Sequence, residues 1–169
     1  MRIENDILIP ELARLLAEGK EVRFTPSGVS MRPFIEGDKD SVILAPLTRE
    51  PKRGDIVLAH AVMSDKSTTY VLHRIVRIEQ SPISKHQTPI TNHQLPISAY
   101  ILQGDGNLQG EESCLREDIL GYVVAIEKHP PISNLQSPIV SHPSPFIARL
   151  WYYLRPFRPF LLKIYRHLR

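Results

Sequence analysis

The chain has 169 residues, which is enough for a single domain with one hydrophobic core. Its formal net charge is +3, and residues 146–169 carry six lysines and arginines and no acid. The preceding residues therefore sum to −3, because the last segment alone contributes +6. A nucleic-acid-binding domain is expected to carry its basic stripe on the folded body, so nucleic acid is disfavoured as a partner.

The side chains that bind metals and form disulfides are sparse. Cys114 is the only cysteine, which excludes an intrachain disulfide and a cysteine-rich zinc site. The seven histidines include no His-x-x-x-His pair, so we expect no metal and no cofactor. Charged residues interrupt the apolar ones up to Lys20, and the sequence predicts neither a cleaved signal peptide nor a membrane span. We expect a cytoplasmic location.

The first predicted element is an amphipathic helix over residues 7–18, within an N-terminal segment 1–20. Gly19 follows it as a stop signal. The apolar residues at near-helical spacing are Ile7, Leu8, Leu12, Leu15 and Leu16.

From Glu21 onward the pattern changes to short runs of Val, Ile and Leu separated by Gly, Pro and Asp. Such runs are typical of strands in a small mixed-β domain. The predicted strands are residues 22–25, 41–45, 55–60, 70–79, 100–103 and 120–127. We predict a mainly β fold with few helices, whose main domain spans residues 21–128.

Two stretches interrupt this pattern with repeats of the form x-Pro-Ile-x-x-x-x, at residues 81–98 and 129–145. A proline in every unit excludes a coiled coil, because each would cost a helix about 3 kcal/mol. We predict a disordered insertion at 81–98 and a proline-rich linker at 129–145. The alternative is a proline-rich ligand for a partner domain. If the two stretches are disordered loops, His86, His93 and His142 have no catalytic or metal-binding role.

The last segment, residues 146–169, combines apolar and aromatic side chains with its six cations. Arg155-Pro156 and Arg158-Pro159 divide it into two helical pieces. A basic amphipathic tail of this kind favours peripheral contact with the inner face of a membrane. The alternative is a helix packed on the body or on another protein.

A candidate nucleophile lies in Gly-Val-Ser-Met-Arg-Pro, residues 28–33, directly after the first predicted strand. A serine between a glycine and a proline can project its hydroxyl from a turn, with backbone N–H groups near it as oxyanion donors. Taken alone, Ser30 is better explained as an ordinary turn serine.

Four further motifs follow in order. They are Arg-Gly-Asp-Ile-Val at 53–57, Tyr-Val-Leu-His-Arg-Ile-Val at 70–76, Gln-Gly-Asp-Gly-Asn at 103–107 and Ile-Leu-Gly-Tyr-Val-Val at 119–124. Together with residues 28–33, they resemble the boxes of the LexA/signal-peptidase superfamily of serine peptidases. The resemblance covers residues 24–127 without the insertion, and it implies the LexA/signal-peptidase-like β fold.

The resemblance also implies the site. Bacterial type I signal peptidases and LexA-like repressors use a lysine base, and His73 stands at the matching position. The chain therefore resembles the Ser-His variant of endoplasmic-reticulum, archaeal and spore-former-type signal peptidases. Ser30 is the implied nucleophile, His73 the base and Asp105 the assisting aspartate. The second acidic position of that variant falls near Glu111, where an aspartate is more usual.

Elementary chemistry favours a histidine in this role. A lysine must lose a proton held with a pKa near 10.4, whereas histidine titrates near 6.5 and needs orientation more than burial. A carboxylate such as Asp105 on the far ring nitrogen would fix the tautomer. The Ser30 amide would hold the oxyanion, supported by its neighbours Gly28 and Met31. Without the resemblance, His73 is explained as a strand residue and Asp105 as a turn residue.

The sequence thus predicts a serine endopeptidase that cleaves a peptide or protein precursor through an acyl-enzyme. One alternative is an inactive relative that binds an extended peptide as an added strand. Another is a self-cleaving transcriptional regulator, although the residues before Ser30 are too few for a helix-turn-helix domain.

Overall fold

The computed structural model describes residues 5–81, 97–128 and 139–167. Its strands join in a single antiparallel sheet. They are β1 (Val22–Phe24), β2 (Ser41–Ala45), β3 (Ile56–Val62), β4 (Thr68–Ser81), β5 (Ile97–Gln103), β6 (Glu112–Leu115), β7 (Ile119–Lys128) and β8 (Ile139–Ser141). The mainly β prediction is confirmed.

Helices lie at both ends of this described chain. They are α1 (Asn5–Ala17), α2 (Pro145–Tyr153) and α3 (Arg158–His167). Short 3-10 helices occur at Arg116–Asp118 and Arg155–Phe157. The helix predicted at 7–18 is confirmed as α1, and the two helical pieces predicted after residue 146 are α2 and α3. No helix within the described ranges is both long enough and apolar enough to cross a bilayer.

The strand order is β1-β2-β7-β3-β4-β5-β6, and β8 pairs with β7. A bridge between Val62 of β3 and Ser113 of β6 brings the far end of this order back to β3. Strands β3 to β6 therefore curl into a small ring. This closure brings Glu112, the first residue of β6, within hydrogen-bond distance of His73 in β4.

Two apolar clusters fill the fold. The first lies under α1, whose Ile9, Leu12 and Leu16 pack on β1, β2 and β7. Ile7, which the predicted helical spacing included, is instead 68% exposed. Met31 and Ile35, from the loop after β1, belong to the same cluster. The second cluster fills the ring and contains Val57, Ala59, Ala61, Ile75, Tyr100, Leu102, Cys114 and Ile119. The loop that carries Ser30 is thus anchored in the core.

Two strands, β6 and β8, are absent from the sequence prediction. β6 has only four residues and begins with an acid, so its alternation is too short to detect. β8 lies inside the segment predicted as a linker, 129–145, and that prediction is wrong from Ile139 onward. Ile139 and Val140 are exposed and pair through their backbones with Lys128 and Glu127. The rest of that segment, residues 129–138, lies outside the described residues.

The other repeat, predicted as a disordered insertion at 81–98, falls almost wholly outside the described residues. The prediction is wrong at its ends, because Ser81 lies in β4 and Ile97 and Ser98 lie in β5. Ser81 ends β4 and pairs with Ile97, the first residue of β5. Residues 82–96, including His86 and His93, are not described. His142 is described, and its Nδ1 lies 2.8 Å from the Val124 carbonyl.

Because Ser81 and Ile97 already face each other in the β4–β5 ladder, a two-residue turn is long enough to join them. We expect replacement of residues 82–96 by Asn-Gly to keep the fold. Shortening the loop lowers the closure entropy by at most about 2 kcal/mol, which acts in favour of folding. The melting temperature, followed by circular dichroism, should stay the same or rise by a few degrees. A fall of more than about 10 °C would mean that this segment packs on the body.

Candidate active site

Ser30 and His73 line the same cleft, which has a volume of about 200 Å³. One wall is the serine loop, which we define as residues 26–37. The other is the first half of β4, residues 70–73. Of the described residues that line this serine cleft, none is a lysine. The arrangement brings a hydroxyl and an imidazole to one solvent-accessible space, as the sequence predicted.

The serine loop is held in shape by two glycines in contact. Gly28 has φ +92°, a left-handed conformation that favours glycine. A Cβ on Gly37 would lie only 2.0 Å from the Gly28 carbonyl oxygen. The Asp38 amide closes the loop by donating to the Pro26 carbonyl at 2.8 Å. Gly28, predicted as a supporting residue, thus supports the loop through its backbone conformation.

A second loop, residues 104–107, holds Ser30 from behind; we call it the Asp105 loop. The Gly106 amide donates to the Ser30 carbonyl at 2.7 Å. A Cβ on Gly104 would lie 2.5 Å from the same carbonyl oxygen, so only glycine allows this approach. Met31, the next residue, is buried in the core and fixes the other side of Ser30. The half-buried Ser30 is therefore positioned by its backbone.

His73 is buried, and its Nδ1 lies 3.0 Å from Oε2 of Glu112. Glu112 is the first residue of β6 and is buried as well. A carboxylate at Nδ1 favours the tautomer with the proton on that nitrogen. The other nitrogen, Nε2, is then the basic one. Glu112 is in the structural position that orients a catalytic histidine.

Asp105 does not occupy that position, and this part of the prediction is wrong. Its carboxylate accepts two hydrogen bonds from Arg74, at 2.9 Å from Nε and 2.7 Å from Nη2. Its carbonyl accepts a third from Trp151 Nε1 at 3.1 Å. The physical reason is strand parity, because adjacent residues of β4 project to opposite faces. Asp105 lies on the face of Arg74, and Glu112 lies on the face of His73.

Glu111, the predicted second acid, is also displaced from the imidazole. Its carboxylate pairs with Arg77 at 3.0 Å and with Arg155 at 3.4 Å. The sequence offered two adjacent acids, and parity in β6 decides between them. Because β6 was not predicted, Glu112 could not be chosen over Glu111 from the sequence.

Cys114 is the other nucleophile type close to this region, and it is buried within the ring. Burial raises the pKa of its thiol to about 12, so the thiol stays protonated at neutral pH. A protonated thiol is a poor nucleophile. Among the described residues, the geometry favours Ser30 as the group that reacts.

Comparison with known families, proteins and structures adds nothing to this geometry. No protein family, no curated protein and no solved structure matches this chain.

Proposed function

We propose that the chain is a serine endopeptidase in which Ser30 is the nucleophile, His73 the general base and Glu112 the residue that orients His73. The observation that carries the proposal is the serine cleft that Ser30 and His73 both line, together with the buried Glu112 carboxylate 3.0 Å from His73 Nδ1. Any buried histidine needs a hydrogen-bond partner, and a carboxylate in particular stabilises a base that becomes positively charged during reaction.

The chemistry follows from the two ring nitrogens of His73. As Ser30 Oγ attacks the scissile carbonyl carbon, Nε2 takes the hydroxyl proton, and Glu112 stabilises the imidazolium. The tetrahedral oxyanion is held by the Ser30 amide. Collapse expels the amine, which takes its proton from His73. Water, activated by the same nitrogen, then hydrolyses the acyl-enzyme.

Within the described residues, no hydrogen bond joins Ser30 Oγ to His73. Catalytic hydrogen bonds are often long in unliganded enzymes and shorten when substrate binds. Substrate binding is therefore the step that completes the Ser30–His73 contact.

The substrate class follows from the edge of β4. Pairing between β4 and β5 begins at Arg74, so residues 68–73 pair only with β3 in the described ladder. These residues border the serine cleft, and an unpaired edge can accept an extended peptide as an added strand. A peptide bound there would run past Ser30. We therefore propose an extended segment of a peptide or protein precursor as substrate.

An acylating active-site probe, detected by intact mass spectrometry, tests the nucleophile and the base. Ser30→Ala should abolish labelling, and His73→Ala should slow it at least about 100-fold, because the two groups act as one unit. Ser27→Ala is the matched control, since Ser27 is an exposed serine on the same cleft and should not affect labelling. Persistent labelling in Ser30→Ala would contradict the assignment. An unlabelled wild type that still binds an extended peptide would favour the inactive relative.

The acids can be separated by three variants. Glu112→Gln should slow labelling at least about 10-fold with little change in melting temperature, because the carboxylate acts on the imidazolium. Glu111→Gln is the control and should label normally. Asp105→Asn should cost about 3–5 kcal/mol of stability, since it leaves Arg74 charged and buried without its partner. Normal labelling in Glu112→Gln, with loss in a folded Asp105→Asn, would return the orienting role to Asp105.

His73→Lys tests whether the site is built for a histidine. Glu112 would stabilise the ammonium form of a lysine, whose pKa in water is near 10.4. We expect labelling to be lost at pH 7 and to return only at strongly alkaline pH, whereas wild-type labelling should rise with pH because its base must be unprotonated. Activity of His73→Lys at pH 7 would show a site that depresses a lysine pKa, which argues against this electrostatic account.

A further inference from the structure

A second cavity, of about 310 Å³, lies between α2 and β4. We call it the arginine cavity, because Arg53, Arg74, Arg149 and Arg158 line it. The arginine cavity is lined by residues 74–76 of β4, whereas the serine cleft is lined by residues 70–73 of the same strand. The volume of the arginine cavity is at the lower end of the range for small-molecule sites, roughly 300–1,000 Å³.

The charges around this cavity do not balance. Asp105 is the acid in contact with these arginines, and both of its carboxylate oxygens are taken by Arg74. Arg158 is only 3% exposed. Its hydrogen bonds go to neutral oxygens, the Trp151 carbonyl at 3.2 Å and the Gln103 side chain at 3.4 Å. Burial lowers the pKa of Arg158, which expresses the same energetic cost of an uncompensated buried charge.

The two remaining arginines stand at the rim and are ordered by aromatic rings. The Arg53 guanidinium lies 4.1 Å from the centre of the Tyr152 ring, and that of Arg149 lies 6.0 Å from the Tyr153 ring. Neither forms an ion pair with another described residue. A planar guanidinium group matches the geometry of a phosphate, because it can donate two parallel hydrogen bonds to two phosphate oxygens.

The helices that cover the cavity turn apolar side chains outward. On one face Ala148, Trp151 and Leu162 are buried against the body. The other face exposes large apolar residues, namely Phe146, Ile147, Leu150, Phe157, Phe160 and Ile164. Residues 146–167 contain five cations and no acid. Exposed apolar side chains among cations suit the interface of a membrane, where an apolar acyl region lies next to anionic headgroups.

We propose that the arginine cavity binds the phosphate of an anionic phospholipid headgroup while the exposed apolar side chains of α2 and α3 enter the membrane interface. A soluble phosphate compound would use the arginines alone. The exposed apolar face of the same helices favours a lipid as the source of the phosphate. This docking does not depend on the peptidase activity, because the arginine cavity and the serine cleft share no lining residue.

The test uses the full chain and vesicles of phosphatidylglycerol with phosphatidylcholine, or of phosphatidylcholine alone. The wild type should sediment with the anionic vesicles only. The double variant Arg53→Lys and Arg149→Lys keeps the net charge but loses the planar donors, and should bind about 10-fold more weakly. Arg155→Lys with Arg166→Lys is the matched control on the same helices outside the cavity, and should change binding less than about 2-fold. Equal losses in the two double variants would overturn the cavity as the headgroup site.

Two further arms separate the lipid from a free anion. Phe157→Ser with Phe160→Ser should weaken vesicle binding but leave intact the stabilisation by inorganic phosphate, measured as a melting shift against chloride at equal ionic strength. The Arg53→Lys and Arg149→Lys variant should lose that phosphate shift. Stabilisation by phosphate without any vesicle binding would overturn the membrane proposal in favour of a soluble phosphorylated ligand. Neither effect in the wild type would overturn both parts.

Discussion

The buried ion pair between Arg74 and Asp105 is the contact on which the candidate site depends. Arg74 also donates to the Gly54 carbonyl at 2.8 Å, so one guanidinium ties β4, the turn before β3 and the Asp105 loop together. That loop in turn holds the Ser30 carbonyl through Gly106. A buried pair contributes little net stability over an apolar replacement, but losing one partner costs several kcal/mol. Its effect is therefore to fix one arrangement of Ser30 relative to β4.

Strand parity divides the work between neighbours in β4. His73 faces Glu112 and the serine cleft, and Arg74 faces Asp105 and the arginine cavity. The His73 imidazole and the Arg74 guanidinium each contact a separate buried carboxylate, so no acid is shared between them. In the proposed mechanism, this separation would let the imidazole change its charge without disturbing the ion pair that positions Ser30.

The sequence predicted what local patterns encode. Long alternating runs located β4 and β7, and helical spacing located α1. The resemblance also predicted that Ser30 and His73 belong to one site, and both residues line the serine cleft. Prediction from the sequence failed where the answer depends on tertiary pairing, because β6 has four residues and β8 only three, which are too few for a detectable alternation. Choosing Glu112 over Asp105 required knowing that β6 closes onto β3, which no local pattern states.

Helices α2 and α3 are packed on the body, so the prediction of residues 146–169 as a separate tail is misleading. Trp151 donates to the Asp105 carbonyl and packs edge-on against Phe34, with ring centres 5.3 Å apart. Tyr165 donates to the buried Glu36 at 3.1 Å, so α3 also contacts the serine loop. Removing residues 146–169 would therefore strip contacts from both loops that position Ser30, as well as removing the exposed apolar face. Membrane contact and site geometry can be separated only by point changes on the outward face, because the inward face of the same helices is part of the scaffold.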